Sequence, residues 1–211
     1  IGEYVHLLSH NSYCGTSLMS EGKESYIQHR GMHEGGELPN SFESLHKNWK
    51  GAQETDLILL KDGNIAIFHE RAFGMTPEQA EDLTLTDIEQ LEIPTEHPTV
   101  KTGGRSVPLL QEFVGLASDA DTALRLELRA SNQEKAVTLA KAAVQKLAQM
   151  NQEGGLRRNP DYLKNKTRFV TFSVAALKAA QNEAKEKNIP VSTGLFWPSS
   201  ESWTHVVPLW D

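Results

Sequence analysis

Several features that mark particular classes of protein are scarce in this sequence. It has one cysteine, Cys14, so no internal disulfide can form and the redox compartment stays open. No apolar run approaches the roughly 20 residues of a membrane-spanning helix. Lysine and arginine number 21 against 28 acidic residues, a formal net charge of −7. Because nucleic acids and anionic membranes attract basic surfaces, this balance argues against broad binding to either.

Two further signals are missing. No glycine-rich phosphate loop follows the first predicted strand, which argues against a dinucleotide-binding fold. The residues after Ile1 show neither the charged nor the apolar region of a signal peptide, and without an initial Met this leaves the compartment open. What remains is an ordinary globular composition, 38% hydrophobic and 23% charged, in a chain of 211 residues that can bury one sizeable core.

Strand and helix patterns alternate along the chain after residue 50. Leu124–Leu128, Arg168–Phe172 and Pro190–Trp197 are predicted strands, whereas Ser131–Met150 and Val174–Lys187 are predicted helices. This alternation predicts an α/β fold with parallel strands, and a TIM (β/α)8 barrel fits it best. About six strand candidates are visible, so we expect a barrel that is incomplete at its C-terminal end, short by one or two βα units.

The chain is predicted to form a single domain. We expect an N-terminal extension over residues 1–24 and one barrel domain over residues 25–211. A short helix should begin near Asn40 or Ser41, since either side chain can cap it. Ser131 and Glu134 have the spacing of a capping box at the start of the long helix.

Two of the strands carry carboxylates where a buried strand is usually apolar. In "QETDLILL", Glu54 and Asp56 are two residues apart and therefore share one face. In "LRLELR", Glu127 shares a face with Arg125 and Arg129. Because uncompensated carboxylates in a core are costly, either a hard divalent cation, Mg²⁺ or Ca²⁺, neutralises them, or the arginines pair with them in an internal salt-bridge network. The residues alone favour neither alternative.

Two histidines, His29 and His69, lie at the ends of predicted strands, where barrel enzymes carry their reactive groups. Beside a carboxylate cluster, such a pair is better explained by general acid/base chemistry than by structural roles. Arg30 and Arg129 would complete the site as hydrogen-bond donors to an anionic substrate oxygen.

The order and spacing of these motifs resemble the glycerophosphodiester phosphodiesterase family. The resemblance covers about residues 25–197 and rests on "HRG", the Glu-x-Asp pair, "KDG" with the following histidine, "VPLLQEF", "LRLELR" and "VTFSVAAL". It implies a TIM barrel and an enzyme that hydrolyses a small-molecule glycerophosphodiester to glycerol 3-phosphate and an alcohol. A related barrel phospholipase acting on lysophospholipid or sphingolipid headgroups, and a non-catalytic binding barrel, are the alternative interpretations.

The resemblance also implies roles for individual residues. It makes His29 and His69 the acid/base residues and Arg30 a phosphate contact. The cation ligands would be Glu54, Asp56 and Glu127, holding Mg²⁺ or Ca²⁺. The chain departs from the family at three positions: no Glu precedes Asn40, Glu70 replaces an Asp, and Arg129 replaces a Lys. Arg129 keeps the positive charge for the phosphate but presents a planar fork of donors.

Overall fold

The computed structural model describes residues 27–31, 38–42, 44, 52–92, 107–156, 159, 161–197 and 205–208. The predicted N-terminal extension, residues 1–24, lies outside these residues, so its separation from the barrel domain stays a prediction. Within the described segments, no helix combines the length and apolar character needed to cross a membrane.

The described residues form one mixed sheet with helices between its parallel strands. The strands are β1 (Ile27–His29), β2 (Ala52–Leu59), β3 (Ile65–Ile67), β4 (Leu124–Leu128), β5 (Thr167–Thr171), β6 (Ser192–Trp197) and β7 (His205–Pro208). The helices are α1 (Pro77–Glu81), α2 (Leu85–Gln90), α3 (Leu110–Asp119), α4 (Gln133–Gln152), α5 (Tyr162–Lys166) and α6 (Val174–Lys187). A 3-10 turn, Glu70–Phe73, follows β3.

The strand order is that of an arc of a barrel. The sheet runs β1-β2-β4-β5-β6-β7, and β1, β2, β4, β5 and β6 are parallel. β3 pairs antiparallel with β2 as a hairpin, and β7 pairs antiparallel with β6. The parallel strands follow the chain without the reversal of order that defines a doubly wound sheet. The predicted α/β fold with parallel strands is confirmed.

The sheet separates an apolar face from a charged one. Leu57, Leu124 and Leu126 are fully buried in the main core, which α3, α4 and α6 complete from outside. Side chains alternate along a strand, so the residues between these leucines point to the other face. The parallel register pairs Asp56 with Glu127 across β2 and β4, which brings two predicted cation ligands side by side on that face.

The N-cap of the long helix lies one residue later than predicted. Asn132 is the N-cap of α4, and its side chain accepts a hydrogen bond from the Lys135 N–H, 3.0 Å away. The predicted capping box of Ser131 and Glu134 is therefore wrong. Ser131 instead donates to Glu81, through its N–H at 2.8 Å and its hydroxyl at 2.6 Å. Sequence spacing could not show this contact, because Glu81 lies 50 residues earlier in the chain.

Candidate active site

Three carboxylates from two neighbouring strands meet on the charged face of the sheet. We name Glu54, Asp56 and Glu127 the acid cluster. One carboxylate oxygen from each lies within 4.8 Å of the others, and all three residues are buried, with 4%, 0% and 8% exposure. Among the described residues, this arrangement can hold a metal ion.

The negative charge of the acid cluster is only partly compensated by the neighbouring arginines. Burial, followed by the charges of Asp56 and Glu127, raises the pKa of Glu54 well above its usual value. Burial also raises the pKa of Asp56, and burial with the charge of Asp56 raises that of Glu127 to about 7. Neither Glu54 Oε1 nor Asp56 Oδ1 accepts a hydrogen bond from any described group. Buried acceptors are rarely left in this state without a ligand, and hard oxygen donors suit Mg²⁺ or Ca²⁺.

A tight turn after β1 delivers donors to the acid cluster. Arg30 and Gly31 both have left-handed backbones, with φ of 58° and 77°. The Arg30 N–H donates to Glu54 Oε2 at 3.0 Å, and its Nε lies 3.0 Å from Asp56 Oδ2. A Cβ at position 31 would lie 2.7 Å from Ser44 Oγ, so only glycine fits this turn. The "HRG" segment thus places one arginine across two carboxylates.

Arg129 lies on the opposite side of the acid cluster, where it is held by Glu70. Its Nη2 and Nε donate to the two Glu70 oxygens at 2.7 and 3.2 Å, a two-pronged geometry that a lysine cannot make. Its Nη1 donates to Glu127 Oε1 at 3.3 Å, and its Nε lies 3.6 Å from Asp56 Oδ1. Burial acts to raise the pKa of Glu70, but the hydrogen bonds and the charge of Arg129 outweigh this effect and lower that pKa below its usual value. The two substitutions relative to the family therefore contact each other.

The two predicted acid/base histidines flank the acid cluster. His29, at the end of β1, places its Nε2 3.8 Å from Glu54 Oε2. His69 is 4% exposed, and its Nδ1 accepts a hydrogen bond from the Arg71 N–H at 3.2 Å. Glu70 Oε2 is also 3.4 Å from this Nδ1, but that contact is an ion pair only when the ring is protonated. Burial, then the charges of Arg30 and Arg129, lower the pKa of His69 to about 4, so the ring is neutral at pH 7.

A cavity of about 380 Å³ opens beside the acid cluster. Glu70, Glu127 and Arg129 line its inner side, and Asn132, Phe172 and Ser173 are among the residues around the rest of it. The volume lies within the range of small-ligand sites. Charged groups of the candidate site thus face a space that can admit a small anionic molecule.

The structure brings every predicted site residue to one region, and both Arg30 and Arg129 contact more than one carboxylate there. Both alternatives drawn from the sequence have support: the acid cluster can hold a metal ion, while Arg30 and Arg129 also pair with its carboxylates. Arg125 Nη1 donates to the Leu124 carbonyl at 3.1 Å. Sequence reasoning missed the supporting roles of Glu70 and Asn40. The departure from Asp at position 70 was the available signal for the first.

Comparison with known proteins identifies one family. Residues 29–202, more than half of the chain, match the sequence model of the "Glycerophosphoryl diester phosphodiesterase family". No curated protein matches the chain. The matched segment contains every residue of the candidate site.

Solved structures with the same fold are distant in sequence. A glycerophosphodiester phosphodiesterase from Parabacteroides distasonis is 18% identical, with a TM-score of 0.56 over 80% of this chain and 63% of its own. Proteins from Silicibacter pomeroyi and Galdieria sulphuraria, provisionally described as enzymes of this kind, are 20% and 21% identical, with TM-scores of 0.60 and 0.55. They are covered over 65% and 63% of their length, and 83% and 81% of this chain is aligned.

These matches define the fold. The matched structures are TIM barrels, so the arc of parallel strands described above is a partial TIM barrel, as the sequence predicts. This chain spans less than two thirds of the length of each.

Proposed function

The chain belongs to the glycerophosphoryl diester phosphodiesterase family, and from that premise we propose that it is a metal-dependent phosphodiesterase. Its substrate would be a glycerophosphodiester, hydrolysed to glycerol 3-phosphate and an alcohol. The acid cluster carries this proposal, because three buried carboxylates, two of which (Glu54 and Asp56) have an oxygen without a hydrogen-bond partner, gain most when a divalent cation joins them.

The residues of the acid cluster fit Mg²⁺ or Ca²⁺ in number and chemistry. Glu54, Asp56 and Glu127 each offer an anionic oxygen, the donor type that both cations prefer. When bound, the cation would draw charge from the phosphoryl oxygens of the diester. Because the pKa of Glu127 is raised to about 7, this carboxyl is partly protonated near pH 7, and the cation would displace that proton.

The two arginines would bind the phosphate. Arg30 Nε lies 3.0 Å from Asp56 Oδ2 and Arg129 Nε lies 3.6 Å from Asp56 Oδ1, and the guanidinium of Arg129 is a cation at any working pH. Burial acts to lower the pKa of Arg129, but its hydrogen bonds to Glu70 outweigh this effect and raise that pKa above its usual value. Neutralising some of the carboxylate charge with a cation would release donors of these arginines to an anionic substrate.

The histidines would move the protons. His69 Nδ1 is occupied by the Arg71 N–H, so its Nε2 is the nitrogen left for proton transfer. One histidine would take a proton from the attacking hydroxyl or water, and the other would give one to the leaving alcohol. His29, with 39% of its side chain exposed, is the one in easier exchange with solvent.

Release of glycerol 3-phosphate from glycerophosphocholine tests the proposal. With Mg²⁺ or Ca²⁺ present we expect release, which EDTA abolishes and re-addition of the cation restores. Glu183→Gln is the matched control, because Glu183 is a buried carboxylate on α6, outside the acid cluster and not among the residues that line the cavity, and its variant should keep the EDTA response. Release that is indifferent to EDTA would contradict the metal dependence, and no release with either cation would contradict the activity.

A lipid substrate is the second candidate. Phe172 and Val174 are exposed apolar residues, at 47% and 44%, and Phe172 lines the cavity. An acyl chain could cover such residues when a lysophospholipid headgroup occupies the cavity. Cleavage of a lysophospholipid, together with no release from glycerophosphocholine, would favour this alternative.

A further inference from the structure

Asn40 lies beside the acid cluster, and its side chain is not used as a helix cap. The sequence allows either Asn40 or Ser41 to cap the helix that follows. In the structure, Ser41 Oγ accepts the hydrogen bond from the Ser44 N–H at 3.2 Å. The amide of Asn40 is therefore available for another purpose.

Both ends of the Asn40 amide contact the same residue. Its Nδ2 donates to Asp56 Oδ2 at 2.9 Å, and its Oδ1 accepts from the Asp56 N–H at 3.2 Å. Asn40 is 1% exposed, so these bonds form away from water. Its own N–H donates to the Arg30 carbonyl at 2.8 Å, which ties the turn after β1 to the same point on β2.

We call these two hydrogen bonds between Asn40 and Asp56 the Asn40 clamp. The clamp determines which oxygen of Asp56 is occupied by protein donors. Oδ2 is held by Asn40 Nδ2 and by Arg30 Nε, each about 3 Å away. Oδ1 accepts no hydrogen bond from the described residues, although Arg129 Nε lies 3.6 Å from it. With Oδ2 fixed, rotation of the carboxylate is blocked and Oδ1 keeps one position in the acid cluster.

We propose that Asn40 is a positioning residue for the cation site, fixing Asp56 so that Oδ1 is presented to the cation. This inference rests on the proposed metal-dependent function. Groups that orient a metal ligand commonly contribute about 10- to 100-fold to metal affinity. Asn40 would act in this way without touching the cation itself.

The chemistry of position 40 selects asparagine. The backbone there is left-handed, with φ of 65°, which asparagine tolerates better than most residues. The contact needs one donor and one acceptor on a short side chain, and an amide supplies both. An aspartate would place an oxygen against Asp56 Oδ2, and an alanine would contact neither group.

Cation binding to the full chain, measured by isothermal titration with Mg²⁺ and with Ca²⁺, tests the proposal without using activity. Asn40→Gly keeps a backbone suited to φ of 65° and removes the amide. We expect it to weaken cation binding at least about tenfold. Ser44→Ala is the matched control: it removes a buried hydroxyl that lies 2.9 Å from the Ser41 carbonyl and 3.4 Å from the Arg30 carbonyl, in the same turn region, without contact to Asp56. Its affinity should stay within about twofold of the unaltered chain.

Each outcome decides between specific claims. Unchanged affinity in a folded Asn40→Gly variant, or an equal loss in Ser44→Ala, would overturn the positioning role. If Asn40→Gly does not fold, Asn40→Ser replaces it, because the hydroxyl is too short to bridge both Asp56 groups, and the same loss is expected. If the unaltered chain binds neither cation, the proposed metal dependence fails first and the inference falls with it.

Discussion

Glu81 and Glu54 are both buried carboxylates, 8% and 4% exposed, but their surroundings differ. Glu81, on α1, accepts from the Ser131 N–H, the Ser131 hydroxyl and Lys135 Nζ at 2.6 to 2.8 Å. Glu54, on β2, accepts one hydrogen bond from the Arg30 N–H, and its Oε1 accepts none from the described residues. Both oxygens of Glu81 accept hydrogen bonds from the protein, whereas Glu54 faces two further carboxylates.

The difference separates a carboxylate whose partners all come from the protein from one that we propose as a cation ligand. Glu81 ties α1 to the start of α4, and the protein alone supplies its donors. The acid cluster has arginine partners but still gains stability when protons or a cation join it, as its raised pKa values indicate. Substitution should therefore have opposite consequences in the two regions: lost function without lost stability at the acid cluster, and the reverse at Glu81.

The largest effect is expected from the histidines beside the acid cluster. His29→Ala should reduce turnover by about 10²- to 10⁴-fold, the usual contribution of general acid/base catalysis. For His69 the sharper variant is His69→Asn, whose Oδ1 can still accept from the Arg71 N–H but cannot transfer a proton. Turnover of glycerophosphocholine measures the loss, and circular dichroism checks the fold. Near-normal turnover in either folded variant would contradict the assignment.

The next effect is a pH dependence of stability at Glu127. With a pKa of about 7 against 4.5 for an ordinary glutamate, the folded chain keeps a proton that the unfolded chain releases. The stability from this group is fully present below pH ~4.5 and is lost as the pH rises to ~7, by about 3 kcal/mol. Urea unfolding of the metal-free chain and of its Glu127→Gln variant measures this effect. The difference between their free energies of unfolding should change by that amount between pH ~4.5 and ~7.

The comparison with Glu127→Gln is needed because His69 acts in the opposite direction. Its pKa is lowered from 6.5 to about 4, so its contribution is lost as the pH falls through that window. Subtracting the two unfolding curves removes the His69 contribution. A difference that is flat with pH would show that Glu127 has an ordinary pKa.

Glu54→Gln should separate function from stability. We expect cation affinity to fall by about 100-fold, since a direct anionic ligand is lost. The thermal stability of the metal-free chain should not fall, because the substitution relieves repulsion with Asp56 and Glu127. Calorimetric titration and thermal unfolding of the same sample measure both. A clear loss of stability would mean that Glu54 is a structural carboxylate like Glu81.

Glu81→Gln should give the smallest effect. In contrast to Glu54→Gln, it should lower stability and leave cation affinity unchanged. Losing one charged acceptor is expected to lower the free energy of unfolding by about 1–2 kcal/mol, with cation affinity unchanged. Lys135→Met is the matched control: the lysine is 46% exposed, so its loss should destabilise the chain less than Glu81→Gln does. Weaker cation binding in Glu81→Gln would break the distinction between the two regions.

Periodic patterns made much of the fold predictable. The predicted helix Val174–Lys187 and the predicted strand Leu124–Leu128 match the structure at both ends. Both have clear signals: Ser173 as an N-cap before the helix, and apolar residues alternating with charged ones in the strand. The start of α4 was harder to predict, because Ser131 and Asn132 both make good caps and only the contact with Glu81 decides between them.

The candidate site was predictable in its members but not in their partners. Strand alternation placed Glu54 and Asp56 on one face, and the structure pairs Asp56 with Glu127 across the sheet. The Glu70–Arg129 pair joins residues 59 positions apart, and the Asn40 clamp joins residues 16 apart. Such contacts depend on tertiary packing, which no local pattern encodes.

Cation titration of the unaltered chain at pH 7, followed by calorimetry in buffers of different ionisation enthalpy, tests the central claim most directly. We predict one Mg²⁺ or Ca²⁺ per chain, with release of protons from the acid cluster on binding, because the pKa of Glu127 is about 7 and that of Glu54 is raised well above its usual value. Heats that show no binding, or binding that survives unchanged in Glu54→Gln, would contradict the claim that these carboxylates form a cation site.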